Sequence, residues 1–354
     1  MSWLDRLGTA LLVVPILVSC SSREPAPPAD EVRPAASFEG AKMGTTWTVR
    51  LAEALDEGRT EEVRAAIDAE LELVDAAMST WREDSEVTAF NRHRDTTPFA
   101  LSADTAAVLA EALRVGDVTG GAFDITVGPL VEAWGFGSVP ADEPPSRQRL
   151  AELERATGLD KLRLNPGEAT LTKRVPEVEI DLSGIAKGYA VDRVAEALET
   201  LGHARYMVEV GGEVRLAGRN AGNEPWRIGI ERPDAARGRL QRILSLSDTA
   251  VATSGDYRNF RVVDGERLTH ILDPRAGRPI HHRLASVTVL HPSCTTADAL
   301  ATGLMVLGPD DALALAEQRD LAVLLLVRDG HGGFEERWSA AFEDTMALSG
   351  PPAP

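Results

Sequence analysis

Four strand-like segments follow one another between residues 204 and 246, and no helical pattern separates them. They span 204–210, 213–217, 226–231 and 242–246, and Gly211-Gly212 supplies a turn between the first two. Strands joined by short turns pair as hairpins, whereas a doubly wound parallel sheet needs a helix between successive strands. The sequence therefore predicts an α+β fold with mixed or antiparallel sheets and flanking helices.

The helices of this fold are indicated by apolar residues at spacings of three and four. The segment 59–78 is an amphipathic example, with Val63, Ile67, Leu71 and Val74 on one face. A second helix is predicted to begin after Ser102, a residue type suited to capping it. The other predicted elements are helices at 147–156, 184–201 and 295–307, and strands at 45–51, 178–182, 286–291, 322–327 and 333–338.

The composition of the 354-residue chain is that of a globular protein, with 44% hydrophobic and 26% charged residues. A formal net charge of −18 argues against nucleic acid as the main partner, because binding a phosphate backbone needs a basic surface. A phosphate ligand held by backbone N–H groups or by a metal is compatible with that charge. Two cysteines, Cys20 and Cys294, are too few for a disulfide framework.

The first 20 residues resemble a bacterial lipoprotein signal peptide. The apolar run over 7–19 is shorter than the roughly 20 residues of a membrane-spanning helix and fits the apolar region of a secretory signal. Leu17-Val18-Ser19-Cys20 resembles a lipobox, in which the cysteine is acylated and becomes the mature N-terminus. A plain secretory signal with an incidental cysteine is the alternative. Ser21, in place of Asp, favours the outer membrane over retention at the inner membrane.

These features predict four parts of the chain. Residues 1–19 are the predicted signal peptide, and 20–37 are the lipidated Cys20 followed by a Pro-rich, disordered tether. Residues 38–348 form the predicted folded domain, and 349–354 are a flexible tail.

Two glycine-containing motifs have the character of ligand-binding loops. The segment 120–129 is followed by Trp134-Gly135-Phe136-Gly137, where glycines allow close approach to a ligand and aromatic side chains can stack on a flat ring. The segment 180–190 reads as a strand, a tight turn and a helix start, where free N–H groups and Lys187 would attract an anion. An ordinary loop and a capped junction with a solvated lysine are the respective alternatives.

Two further motifs carry candidate polar chemistry. His270 precedes the turn sequence Asp273-Pro274-Arg275, and a single histidine there is either structural or catalytic. Asp298 and Thr302 stand four residues apart in an otherwise apolar helix, so their oxygens share one face. Because a buried Asp is costly unless it is paired or metal-bound, we favour a hard cation such as Mg²⁺ over an exposed Asp with a back-bonded Thr.

Taken in order, these motifs resemble one family, the ApbE-type FAD:protein FMN transferases. The resemblance spans Lys42 to about Leu324 and comprises eight stretches in register. They are KMGTTWTV (42–49), MSTWREDSEVTAFN (78–91), GAFDITVGPLVEAWGFG (121–137), IDLSGIAKGYAVD (180–192), YMVEVGGEVRLAG (206–218), ATSGDYRNF (252–260), THILDPRAGRPI (269–280) and TTADALATGLMVLG (295–308).

The resemblance implies a T-fold-related catalytic unit and a Mg²⁺-dependent reaction. FMN would be transferred from FAD to a Thr hydroxyl of a target flavoprotein, with release of AMP. Asp298, Thr302 and the backbone carbonyl of Gly184 would be the Mg²⁺ ligands, and His270 would be the base near the attacking hydroxyl. The residues implied to line the FAD pocket are Met43, Trp81, Ala122, Phe123, Asp124, Asp181, Lys187 and Leu272.

Three positions depart from the pattern of some family members. Ala301 stands where some members have an acidic residue, Trp81 where some have Tyr, and Lys187 where an acidic residue occurs elsewhere. The first departure removes one weak metal ligand, and the second keeps a stacking ring without a hydroxyl. The third leaves the role of Lys187 open.

Other functions share the same motifs. An FAD pyrophosphatase would release FMN and AMP with water as the acceptor, a non-catalytic lipoprotein would bind FAD without chemistry, and an inert structural lipoprotein would leave the polar helix face unexplained. By resemblance, the partners of a transferase are subunits of Na⁺-pumping or electron-bifurcating membrane redox complexes, or other exported flavoproteins. The expected location is the periplasmic face of a membrane, with contact only through the lipid anchor.

Overall fold

An eight-stranded antiparallel sheet forms the centre of the computed structural model, which describes residues 35–137, 143–234, 238–257, 259–263 and 266–349. Its strand order is β1-β2-β6-β7-β10-β15-β16-β17. These strands span Ser37–Lys42 (β1), Thr45–Leu51 (β2), Tyr206–Val210 (β6), Glu213–Ala217 (β7), Thr249–Gly255 (β10), Leu284–His291 (β15), Ala322–Arg328 (β16) and Phe334–Trp338 (β17).

Small sheets and nine helices surround the central sheet within the described residues. The remaining strands are Phe99–Ala100 (β3), Leu162–Asn165 (β4), Thr170–Lys173 (β5), Trp226–Glu231 (β8), Leu240–Leu246 (β9), Phe260–Val263 (β11), Glu266–Thr269 (β12), Leu272–Asp273 (β13) and Arg278–Pro279 (β14). The helices are Glu57–Met78 (α1), Glu86–Arg92 (α2), Ala103–Val118 (α3), Gly128–Ala133 (α4), Arg147–Glu154 (α5), Ala186–Thr200 (α6), Cys294–Leu307 (α7), Pro309–Gln318 (α8) and Ala340–Ser349 (α9). The predicted α+β class with antiparallel sheets is confirmed.

Strand β16 shows that the sheet is buried on both faces. Val323, Leu325 and Val327 face a core formed with α1, α6 and α7, whereas Leu324 and Leu326 face a second core that includes β8, β9 and α9. Burial on both sides explains why this strand is a continuous apolar run without alternation. The two cores hold the sheet between a helical layer and a layer of the β8–β9 hairpin with α9.

Helix α7, which carries Asp298 and Thr302, lies inside the helical layer. Twelve of its fourteen residues are buried, and it packs against α3, α6, β10 and β15. A helix that is apolar on nearly all sides belongs in a core. Cys294, its first residue, is buried, and burial raises the pKa of its thiol well above the usual value. Asp298 and Thr302, two of the three predicted metal ligands, therefore lie on a helix that is packed on nearly all sides.

The strand predicted over 178–182 is wrong. Among the described residues this segment pairs with no strand; the carbonyl of Ile125 accepts the N–H of Asp181 at 2.7 Å, and the side chain of Asn91 bonds to the backbone of Ile180. Asn91 Oδ1 accepts the N–H of Ile180 at 2.7 Å, and its Nδ2 donates to the carbonyl of Ile180 at 2.9 Å. Backbone N–H and C=O groups that have such hydrogen-bond partners do not need to pair with another strand.

The predicted signal peptide, Cys20 and almost all of the predicted tether lie outside the described residues, as do residues 350–354. The compact unit begins at Ala35, and β1 begins at Ser37, the last residue assigned to the tether from sequence. From Ala35 onward, no described helix has both the length and the apolar character needed to cross a bilayer.

Candidate active site

A cavity of about 820 Å³ collects residues from seven of the eight sequence motifs. Eleven of the predicted site residues line it, namely Trp81, Ala122, Phe123, Asp124, Asp181, Gly184, Lys187, His270, Leu272, Asp298 and Thr302. Met43 is not among the lining residues. It occupies the β1–β2 turn with a positive φ of 53° and packs against the main core. Cys20 lies outside the described residues.

Asp298 and Thr302 are neighbours one turn apart on α7, as their spacing predicts. Asp298 is 2% exposed, and its Oδ2 accepts the backbone N–H of Gly188 at 3.0 Å. The hydroxyl of Thr302 lies 3.1 Å from that of Ser254 on β10. A carboxylate and two hydroxyls thus converge at one end of the cavity.

Gly184 approaches this group so closely that a side chain would intrude on it. A Cβ at this position would lie 3.3 Å from Thr302 Oγ1 and 3.2 Å from the ring of Phe123. The backbone of Gly184 is therefore next to the side-chain oxygens, which agrees with a carbonyl acting as a third ligand. All of these donors are hard oxygens, the set preferred by Mg²⁺, so the residues present fit this ion.

Two ion pairs that involve buried carboxylates lie next to the same oxygens. Lys187 Nζ lies 2.9 Å from Glu213 Oε1 and 3.7 Å from Asp298 Oδ1. Glu213 is 3% exposed, and its Oε2 has no hydrogen-bond partner among the described residues. Burial raises the pKa of Glu213, and the Lys187 ammonium opposes that shift. The sequence predicted that the positive charge of Lys187 would attract an anion. In the structure, two carboxylates already balance that charge.

His270 has a defined tautomer. Its Nδ1 lies 2.9 Å from the carbonyl oxygen of Asn259, an acceptor only, so Nδ1 carries the proton and Nε2 keeps its lone pair. Burial lowers the pKa of His270 below its usual value, and the Asn259 contact opposes that shift. The imidazole is therefore neutral at pH 7 and has a basic nitrogen available.

The cavity also has aromatic and apolar wall residues suited to a flat ring. Trp81 is 73% exposed and lines the cavity, whereas Phe123 and Leu272 are buried in its wall. Asp124 turns inward, where its Oδ1 accepts from the N–H and hydroxyl of Thr126 at 2.7 and 2.6 Å. Burial raises the pKa of Asp124, against those hydrogen bonds. Asp124 thus braces the loop that presents Phe123.

Comparison with known proteins decides the family. The sequence profile of the ApbE family matches residues 43–325. The chain belongs to the ApbE family. It is 43% identical to the FAD:protein FMN transferase of Vibrio cholerae over 98% of this chain and 99% of that protein. It is 46% identical to the FAD:protein FMN transferase of Haemophilus influenzae over 87% of this chain and 90% of that protein.

Solved structures of ApbE family members share the fold. The flavin transferase ApbE from Vibrio cholerae aligns with a TM-score of 0.80 at 44% identity and covers 88% of this chain and 100% of its own. The flavinyl transferase ApbE of Pseudomonas stutzeri, in its apo form, aligns with a TM-score of 0.81 at 38% identity, over 88% of this chain and 96% of its own. The resemblance drawn from eight sequence motifs is confirmed.

Two polar residues of this ApbE family member's site were missed from sequence. Glu213 had a usable signal, because Val214 and Leu216 face the second core and alternation then places Glu213 on the α6 and α7 side. Ser254 had none, since β10 reads TAVATSG, in which β-branched residues alternate with small ones and nothing in the pattern points from Ser254 to the helix that carries Thr302. The contact between Ser254 and Thr302 spans 48 residues of sequence and arises only from packing.

The start of α7 is held by Asp192 from the neighbouring helix α6. This carboxylate accepts the backbone N–H groups of Cys294 and Thr295 at 3.0 and 2.9 Å, and Arg215 pairs with it at 3.0 Å. The first N–H groups of a helix have no partner within the helix, and a carboxylate is favoured there. Asp192 therefore fixes the position of the helix that carries Asp298.

We expect Asp192→Ala to lower the free energy of unfolding by about 3 kcal/mol, because it leaves the buried N–H groups of Cys294 and Thr295 without an acceptor and removes one of the two carboxylates that pair with Arg215. Urea unfolding of the purified protein measures this loss. Asp68→Ala is the control, since Asp68 makes only an exposed pair with Arg64 at 3.9 Å and its removal should cost less than about 0.5 kcal/mol. Equal effects of the two substitutions would contradict the assignment.

Proposed function

We propose that this ApbE family member catalyses the Mg²⁺-dependent transfer of FMN from FAD to a Thr hydroxyl of a target flavoprotein, with release of AMP. The observation that carries the proposal is that one cavity is lined by aromatic and apolar side chains, by His270 and by the oxygens of Asp298 and Thr302. The relatives from Vibrio cholerae and Haemophilus influenzae, both named FAD:protein FMN transferases, support the same reaction.

Different residues of the cavity would bind the flavin ring and the metal ion. Trp81 and Phe123 offer aromatic faces to the isoalloxazine ring, and Leu272 closes the wall beside them. Asp298, Thr302 and the Gly184 carbonyl would hold Mg²⁺ near the pyrophosphate. When bound, the ion supplies neutralisation of the charge that develops on the phosphate oxygens.

His270 acts as the general base in the proposed reaction. Its Nε2 accepts the proton of the Thr hydroxyl as the hydroxyl oxygen bonds to the phosphorus of the FMN moiety. The bond from that phosphorus to the bridging oxygen breaks, and AMP leaves with the electron pair. The products are a phosphodiester-linked flavin on the target, AMP and the protonated imidazole, so charge and atoms balance.

One experiment separates this function from the alternatives. The chain without residues 1–20 is incubated with FAD, Mg²⁺ and an acceptor domain that carries a flavinylation Thr, with the Thr→Ala acceptor as control. A flavin-sized mass increase on the first acceptor alone, together with AMP, supports the transferase. AMP without labelled protein indicates an FAD pyrophosphatase, and neither product indicates an FAD-binding lipoprotein.

The proposed location is the periplasmic face of a membrane, with Cys20 as lipid anchor and Ser21 favouring the outer membrane. Subunits of membrane redox complexes and exported flavoproteins are the proposed targets. Cys20→Ala should abolish metabolic labelling with palmitate in a bacterial host and leave the protein out of the membrane fraction. Cys294→Ala is the control and should be labelled normally, since Cys294 is buried in the fold. Unchanged labelling of Cys20→Ala would contradict the anchor.

A further inference from the structure

The ammonium group of Lys187 lies between two buried carboxylates, and one of them is the proposed Mg²⁺ ligand Asp298. Lys187 comes from the first turn of α6, Glu213 from the start of β7 and Asp298 from α7. The ammonium is 2.9 Å from Glu213 and 3.7 Å from Asp298. The carboxylate that would bind a divalent cation therefore already faces a monovalent one.

Neighbouring residues restrict the path of the Lys187 side chain. A Cβ on Gly211 would lie 3.1 Å from Lys187 Cδ and 3.0 Å from Thr45 Cγ2, so the glycine leaves just enough room for the lysine stem. Gly211 has a positive φ of 65° in the β6–β7 turn, which also favours glycine. The stem is thus confined to a path that ends at the two carboxylates.

The charges of the group explain why a cation is needed there. Asp298 and Glu213 are 2% and 3% exposed, and buried carboxylates are costly unless a positive charge accompanies them. One ammonium balances one of the two negative charges. A divalent cation at Asp298 would share that carboxylate with an ammonium of the same sign a few ångströms away.

We propose that Lys187 is a positioning residue that stabilises the metal-free site and competes with the divalent cation for Asp298. The proposal rests on the proposed metal role of Asp298. Two effects of opposite sign follow from it. Removing the ammonium leaves a more negative site, so the cation binds more tightly, while the metal-free protein loses stability because two buried carboxylates lack a counter-charge.

The test measures Mn²⁺ binding without FAD, by isothermal titration and by the electron paramagnetic resonance signal of free Mn²⁺. Lys187→Met should lower the Kd of Mn²⁺ about tenfold, and Lys187→Arg should keep the wild-type Kd because it keeps the charge. In EDTA, Lys187→Met should melt several degrees below wild type, and Mg²⁺ should restore more stability to it than to wild type. If Lys187→Met does not fold, Lys187→Gln is used in its place for the Mn²⁺ binding and the melting measurements.

Lys173→Met is the matched control. Lys173 is buried, at 1% exposure, whereas the side chain of Lys187 is 30% exposed; Lys173 contacts the ring of Phe90 and the carbonyl of Asn91 instead of the metal ligands. Its removal should leave the Kd of Mn²⁺ unchanged. An unchanged or higher Kd in Lys187→Met would overturn the proposal, because a purely structural lysine or a phosphate contact predicts that result.

Asp298→Asn separates this inference from the proposed function. Loss of Mn²⁺ binding in Asp298→Asn, with tighter binding in Lys187→Met, supports both. Loss in the first without a gain in the second overturns only the role of Lys187. Mn²⁺ binding that survives Asp298→Asn overturns the metal assignment and the inference together.

Discussion

Asp298→Ala should lower Mg²⁺-dependent FMN transfer by about a thousandfold. Asp298 is the only carboxylate among the proposed ligands, and a loss of about 4 kcal/mol of transition-state stabilisation corresponds to three powers of ten in rate. The measurement is AMP release and acceptor labelling as functions of Mg²⁺ concentration. Full activity in this variant would contradict the metal site.

Asp298→Asn is the matched variant for that experiment. The amide retains an oxygen that can accept the N–H of Gly188, now 3.0 Å from Asp298 Oδ2, but it removes the charge. We expect activity to fall as far as in the alanine variant, with a smaller loss of stability. Activity near wild type in Asp298→Asn would show that the hydrogen bond to Gly188, rather than metal binding, is what the enzyme requires.

His270→Ala should lower the rate of transfer by about two to four powers of ten, the usual contribution of a general base. The pH profile carries the more specific expectation. The base acts when it is unprotonated, and burial lowers the pKa of His270, so the acidic limb of kcat/KM should lie below the reference value of about 6.5. At pH values above that limb His270 is already unprotonated, so its titration should no longer change the wild-type rate.

The variant should lose this acidic limb as well as the rate. His331→Ala is the control, since His331 is exposed in the β16–β17 turn and should leave both rate and profile unchanged. Added imidazole should restore part of the activity of His270→Ala if the cavity admits it as a base. A normal rate and an unaltered acidic limb in His270→Ala would show that another group takes the proton.

Sequence periodicity predicted the elements that depend on local pattern. The helix predicted over 295–307 is α7, Cys294–Leu307, and the helix predicted over 59–78 is α1, Glu57–Met78. Long, regularly spaced apolar stripes are reliable because each helix buries the same face along its length. The hairpin at Gly211-Gly212 also formed as predicted, with positive φ at both glycines.

Prediction failed where a partner distant in sequence decided the structure. The segment 178–182 looks like a strand, but Asn91 and the carbonyl of Ile125 hold the backbone of Ile180 and Asp181. Strand β10 is built from small residues and is defined by β7 and β15 on its two sides.

The sequence by itself determined the family, the α+β class and the placing of Asp298 and Thr302 on one helix face, because motifs and helical spacing are local properties. Only the tertiary structure decided that Lys187 is balanced by Glu213 and Asp298, that Ser254 meets Thr302, and that Asn259 sets the tautomer of His270. The physical reason is that the pairing of buried charges and hydrogen bonds depends on which groups share a desolvated space. That space is created by packing between elements far apart in the chain.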